Sequence, residues 1–423
     1  MRFNYGKIFL LGFGFFGVSV IWATYNAFVP IFLSEKFGLQ PALIGFFMTL
    51  DNIAALLIQP PVGAWSDRLR TPIGRRMPFI LIGAPIGAIA FGLIPLAAVL
   101  PLFVACTTTL LLSMALWRTP VVALMPDITP SQNRSQANGI INFMGGVGSI
   151  IAFLGGAMLY DMNPAYPFWL GSGLVILSAL LVFLIIREPK VVEDNHEKKT
   201  SLLDSLMTVL NDPDRSALRV LLAIFFWFVA YNAVEAFFTL YAKNHLQLSE
   251  SDGTRLLGQL SLSFVLFALP SGYIGSRIGR RVTILIGIVI MTLCLLLMYF
   301  VPVSTLTTVL TKLPILGQVP VVGLILMLAG IGWACININS LPMVVDMTTV
   351  ARVGTYTGLY YLFSTLAAIA GPIINGGIIQ LSGEDYSTTM IAAPIFMILA
   401  FIMMLGVHRG EAAPQSEVVG NST

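Results

Sequence analysis

Charge is scarce in this chain. Of 423 residues, 23 are Lys or Arg and 20 are Asp or Glu, together 10%, against the quarter usual for a soluble globular domain. Histidine and cysteine are rarer still, at three each. Cys106, Cys294 and Cys335 lie singly within apolar runs, which argues against a disulfide framework or a cysteine metal site and leaves them as small buried hydrophobes. His196, His245 and His408 fall in polar segments or near the ends of apolar ones. No phosphate-binding glycine loop and no nucleophile–base set is present, which sets aside ATP-driven transport and membrane-enzyme chemistry. No cofactor and no metal is expected.

Apolar residues fill the space that charge leaves, at 57% of the chain. Runs long enough to cross a bilayer, about 20 residues, are predicted at 7–33, 41–63, 78–99, 101–125, 138–160, 166–186, 218–243, 253–275, 282–301, 318–344, 355–381 and 388–407. Each is too long for a barrel strand, so the expected class is an all-α polytopic membrane protein with twelve transmembrane helices. The first run follows Arg2 and Lys7 but continues to Leu33 without a small-residue cleavage pattern, so it reads as a span and not as a secretory signal.

Basic residues give an orientation. With the first residues inside, the inner segments hold Arg68, Arg70, Arg75, Arg76, Arg134, Arg187, Arg277, Arg280, Arg281, Arg352 and Arg409 among others, and the outer side only Lys36, Lys243, Arg255 and Lys312. The positive-inside rule then predicts both termini in the cytoplasm. The net charge of +3 follows from that asymmetry and needs no nucleic-acid partner.

The longest polar segment, 187–217, falls halfway and separates six spans from six. The expected organisation is therefore an N-terminal bundle over 1–186, a linker over 187–217 with a short surface helix behind a Ser201 to Asp204 capping pattern, a C-terminal bundle over 218–407 and a tail over 408–423. The halves repeat each other. Tyr25-Asn26-Ala27 in the first span is answered by Tyr231-Asn232-Ala233 in the seventh, Gly74-Arg75-Arg76 by Gly279-Arg280-Arg281, and Asp127, Arg134 and Gly139 by Asp346, Arg352 and Gly358. Two parallel six-helix repeats place a substrate site between them near the membrane midplane.

The loop Gly63-Ala-Trp-Ser66-Asp67-Arg68, ending in Gly74-Arg75-Arg76, resembles the signature loop of the major facilitator superfamily. Its longer form, S-D-R-x-x-x-x-x-G-R-R-x-P-F, and the stretch "RTPVVALMPDITPSQNRSQANGI" over 118–140 are similar to the sucrose/proton symporters and their bacterial relatives in the glycoside-pentoside-hexuronide:cation symporter group. Met77 stands where plant sucrose carriers have a third arginine, and their acidic stretch in the fourth span is missing, with Arg118 nearby. The resemblance implies a bacterial cytoplasmic-membrane carrier for a sugar or glycoside, a disaccharide by preference, driven by a proton or another cation and acting as a monomer. Spans 1, 4, 7 and 10 line the cavity in that family.

A carrier that opens alternately to two sides needs contacts made in only one state. Asp67 is the expected gate residue, facing the start of span 11 and Arg352, with Arg75 or Arg76 holding Asp127 and with Arg134 nearby. Anchoring to the membrane surface explains Arg68 and Arg70 as well as gating does. It explains Asp67 poorly, since an acid weakens a basic anchor.

Charged residues inside spans are costly and usually face a cavity or one another. Asp51, Arg118 and Glu235 are the candidates, with Asp51 able to pair with Arg118 and Glu235 lacking a cation at its depth in its own half. A sugar asks for groups that both donate and accept, beside aromatic faces. Tyr25 and Asn26, Tyr231 and Asn232, and Asn337 and Asn339 of span 10 are the expected substrate-binding residues with these three. Glu235, then Asp51, is the expected proton carrier. An exporter of amphipathic drugs or lipids would share the fold and the loop, but calls for a greasier cavity.

Overall fold

Twelve helices long and apolar enough to cross a membrane form among the described residues: Gly6–Lys36, Pro41–Arg68, Met77–Leu96, Leu100–Met125, Gly139–Met162, Tyr166–Ile185, Ser216–Asn244, Glu250–Ile278, Arg280–Phe300, Val321–Val345, Val353–Leu381 and Tyr386–Leu405. In chain order they are spans 1 to 12. The computed structural model describes residues 5–129, 134–186, 188, 206, 207, 209–211, 214–314, 316–348 and 352–410. Most of the expected linker helix, and the tail from 411 onward, lie outside the described residues.

The helices form because lipid offers no partner to a backbone N–H or C=O, so each segment must bond within itself. Packing within each half uses small residues at close approaches. A Cβ on Gly12 of span 1 would come to 2.7 Å from Met144 of span 5, and one on Gly17 to 3.0 Å from Ser178 of span 6.

Three departures from regular helix shape the interior. Span 1 carries Pro30 and then widens into a π-helical turn at Phe32–Lys36. Span 2 is broken into Pro41–Phe47 and Leu50–Arg68, with Thr49 Oγ1 donating to the carbonyl of Phe46 at 2.7 Å in the gap. The break puts Asp51 in the first turn of the second segment, where a helix N-terminus favours a carboxylate. Span 5 carries a second π-helical turn, Ile151–Gly155. Between spans 9 and 10 a hairpin forms from strands β1, Val309–Leu313, and β2, Gly317–Pro320. The hydropathy pattern does not announce it, because Val319 and Pro320 continue the apolar run of span 10.

The halves touch at one face. Opposite the arginine-rich loops, Lys243 of span 7 bonds Glu35 of span 1 at 3.2 Å, and Arg255 of span 8 bonds Asp161 of span 5 at 2.5 Å. Gln380 of span 11 donates to Gln40 at 2.8 Å. Backbone lies on backbone here: a Cβ on Gly376 would stand 2.5 Å from the carbonyl oxygen of Pro41, and one on Gly45 would collide with that of Pro372. At the basic face, by contrast, no ion pair joins the halves among the described residues. The far face is closed, and the ion pairs between the halves among the described residues lie there.

Candidate functional site

Between the halves lies a cavity of about 170 Å³ lined by Trp22, Asn26, Met48, Asp51, Asn52, Arg118, Asn232, Glu235, Ala236, Ala368 and Pro372. Five of the nine expected binding residues are therefore brought together: Asn26, Asp51, Arg118, Asn232 and Glu235. They come from spans 1, 2, 4 and 7. Span 10 contributes none of the lining.

Asn26 of span 1 and Glu235 of span 7 line the same cavity from the two halves. Asn232, the repeat counterpart of Asn26, donates its Nδ2 to the carbonyl of Phe228 at 2.7 Å, which leaves its oxygen as the free acceptor. Asp51 accepts from Asn52 Nδ2 at 2.8 Å.

The expected Asp51–Arg118 contact is not an ion pair. The two interact electrostatically, yet no ion pair within 4.0 Å joins them. The helix N-terminus and the Asn52 amide already serve Asp51, so it need not reach for the guanidinium. Arg118 also lies within electrostatic reach of Tyr361 of span 11, an exposed tyrosine of the other half.

The remaining residues lie elsewhere. Tyr25 is buried behind Trp22, edge-on at 5.8 Å between ring centroids, and its hydroxyl has no partner among the described residues. Tyr231 stacks on Trp333 at 4.0 Å with the rings 7° from parallel, forming an aromatic wall next to Glu235. Asn339 lies outside the cavity lining. It is buried, donates to the carbonyls of Cys335 and Ser271 at 3.0 and 3.2 Å, and packs against Gly275 of span 8. Asn337 is half-buried and outside the lining. Asn52 was missed; its signal was its place beside Asp51.

The basic-face network is compact and lies within the N-terminal half. Arg76 bonds Asp127 at 2.5 Å and Asp67 at 2.8 Å, and Arg75 bonds Asp127 at 2.9 Å. Arg76 also donates to Ser66 Oγ at 2.9 Å. Glu188, unforeseen from sequence, accepts the backbone N–H groups of Arg75, Arg76 and Met77, each at 2.9 Å. Gly74 makes room for it, at a φ of +115° where a Cβ would collide with the Glu188 carboxylate. In the other half Arg280 pairs with Asp346 after Gly279, whose φ is +101°, so the arginine–aspartate contact is repeated. Asp67 pairs with Arg76 and not with Arg352, with which no ion pair is found among the described residues. Arg352 is exposed, and the Arg134 side chain lies outside the described residues.

Two bundles of six spans thus surround a polar cavity lined from both halves. The family model for the Major Facilitator Superfamily matches residues 11–311 and 256–421. The chain belongs to the major facilitator superfamily. It is 27% identical over 163 residues to a sucrose transport protein of Oryza sativa subsp. indica, covering 33% of this chain and 27% of that one. It is 22% identical over 272 residues to Multidrug resistance protein 2 of Bacillus subtilis, covering 63% and 65%. The chain thus aligns with only about a quarter of the sucrose relative. The fold matches the crystal structure of the nucleoside transporter NupG with a TM-score of 0.71 at 16% identity, covering 95% of this chain and 99% of that one.

Proposed function

We propose that this protein moves a sugar or glycoside, a disaccharide by preference, by proton-coupled alternating access as a monomer in a bacterial cytoplasmic membrane, with both termini in the cytoplasm. The reading is carried by the lining of the cavity. Three carboxamides, two carboxylates, one guanidinium and one indole face the same space, a set that donates and accepts in several directions, as hydroxyls require. A carrier for amphipathic drugs would expose a mainly apolar wall there, and the similarity to a multidrug protein does not supply one.

Charge supports the coupling. Arg118 balances one of the two carboxylates, so the cavity carries a net charge of −1 when both are ionised. A proton on Glu235 removes that charge, and its place beside Asn26 of the other half in the lining ties the loading step to the meeting of the halves. The sign of the driving ion follows: a cation is drawn in with a neutral sugar. On this reading Asp67, Arg75, Arg76 and Asp127 belong to the cytoplasmic gate together with Arg134 and Arg352, and the present state is open to the cytoplasm.

Uptake of radiolabelled mono- and disaccharides into proteoliposomes, with and without an imposed pH gradient, tests the proposal. Accumulation of one sugar above its outside concentration only when the gradient is imposed is expected. Uptake of lipophilic cations in place of every sugar would overturn it.

A further inference from the structure

The hairpin between spans 9 and 10 has two attachments of different kinds. To its own half it is held by directional bonds: Gln259 Nε2 of span 8 donates to the carbonyls of Leu316 and Gln318, at 3.3 and 2.9 Å. To the other half it offers, among the described residues, apolar contact. Leu316 and Val319 are buried in one cluster with Leu154 of span 5, beside Ile150 of that span and Leu262 and Met327 of spans 8 and 10.

The surroundings fit a seat that closes and reopens. Leu154 lies in the π-helical turn of span 5 and presses on Gly258 of span 8, where a Cβ would collide with it. Gly317, with a φ of +70°, lies over Arg255, a Cβ there standing 3.3 Å from the arginine Cδ. The same arginine crosses to Asp161 of span 5. An apolar contact parts without stranding a backbone donor or acceptor, whereas losing the Gln259 bonds would strand two carbonyls. The hairpin is therefore built to travel with the C-terminal half.

We propose that the hairpin is a latch: it seats Leu316 and Val319 on Leu154 to hold the far face shut, and it leaves Leu154 whenever the cavity opens to that face. The inference rests on the superfamily's alternating access and is independent of which substrate is carried.

The test uses accessibility, so a wrong sugar assignment does not affect it. In the full-length protein in proteoliposomes, Ala368→Cys reports on the cavity through labelling by a membrane-impermeant maleimide applied at the far face. Joining Leu154→Cys to Leu316→Cys with a short, reducible bifunctional thiol reagent is expected to lower that labelling at least tenfold, with recovery on reduction. Joining Leu262→Cys to Leu316→Cys, which ties the hairpin to its own half, should leave labelling within twofold. Val319→Ser should raise it several-fold without any reagent. Unchanged labelling once the first pair is joined, equal loss with the second pair, or failure of the first pair to join at all would each overturn the latch.

Discussion

Asn26 and Glu235 come from opposite halves of the chain and line one cavity. On the proposed coupling, a proton on the Glu235 carboxylate changes the charge where the halves meet, so ion loading and rearrangement share one place. Glu235→Gln is expected to abolish uphill, pH-driven accumulation while keeping sugar exchange down a gradient, because exchange needs no net proton movement. If Glu235→Gln still accumulates sugar against a gradient, the role passes to Asp51, and Asp51→Asn is the variant to measure.

Asn232 offers its side-chain oxygen to the cavity while its nitrogen stays bonded to Phe228. Asn232→Ala should weaken sugar binding by about 1–3 kcal/mol, since a buried hydroxyl of the ligand loses its acceptor. Asn339→Ala should leave affinity unchanged and lower thermal stability, because its bonds run to backbone carbonyls. Binding titrations and melting of the purified protein distinguish the two; equal effects on affinity would remove Asn232 from the site.

Asp67 is half-exposed, with 48% of its side chain accessible, and among the described residues it is Arg76 that holds it. Its partner across the gate has no counterpart in this state, so Asp67→Asn should destabilise the state closed to the basic face and favour the one seen here. A coupling of about 1–3 kcal/mol shifts the populations roughly 5- to 150-fold. Cysteine labelling from the two faces should rise at the basic face and fall at the far one. The same ratio in variant and parent would rule the gate role out.

Gly376→Val pushes the other way. A side chain at that position meets the Pro41 carbonyl only while the far face is shut, so the variant should label more readily from the far face. Loss of labelling from both faces would point to misfolding instead, which a retained elution profile in size-exclusion chromatography checks.

Asp127 and Asp346 occupy matched places but differ in burial. Asp127 is 10% accessible and holds Arg76 at 6%, whereas Asp346 is 40% accessible. Asp127→Ala leaves the buried Arg76 guanidinium only Asp67 and Ser66 and should cost about 2–3 kcal/mol. Asp346→Ala should cost about 1 kcal/mol or less, as exposed pairs do. Melting temperatures of the two variants in one detergent provide the comparison, and similar losses would contradict the burial argument.

Much of this architecture is written in the sequence. No span end is displaced by more than five residues from its expected place, since a bilayer imposes a length that apolar runs must meet. The repeat pairs also hold in space: Arg75 with Asp127 and Arg280 with Asp346. What stayed hidden depends on helix rotation and on breaks. Asn337 and Asn339 are two residues apart, about 200° around a helix, so one cavity cannot receive both, and the pattern alone does not say which way the helix turns. The interruption of span 2 at Met48 and Thr49 has no proline or glycine at the gap. Glu188 was invisible because its partners are backbone N–H groups, which every loop possesses.

The contact of Gly45 and Gly376 with carbonyl oxygens of the opposite half bears on bioenergetics. Where those faces meet, main-chain atoms fill the seam and no row of ionisable side chains continues from Glu235 toward the outside among the described residues. Hydrogen ions cannot hop through such a seam by themselves, so the resting protein should add no measurable short circuit to an energised membrane, and dissipation should begin only when substrate drives the cycle.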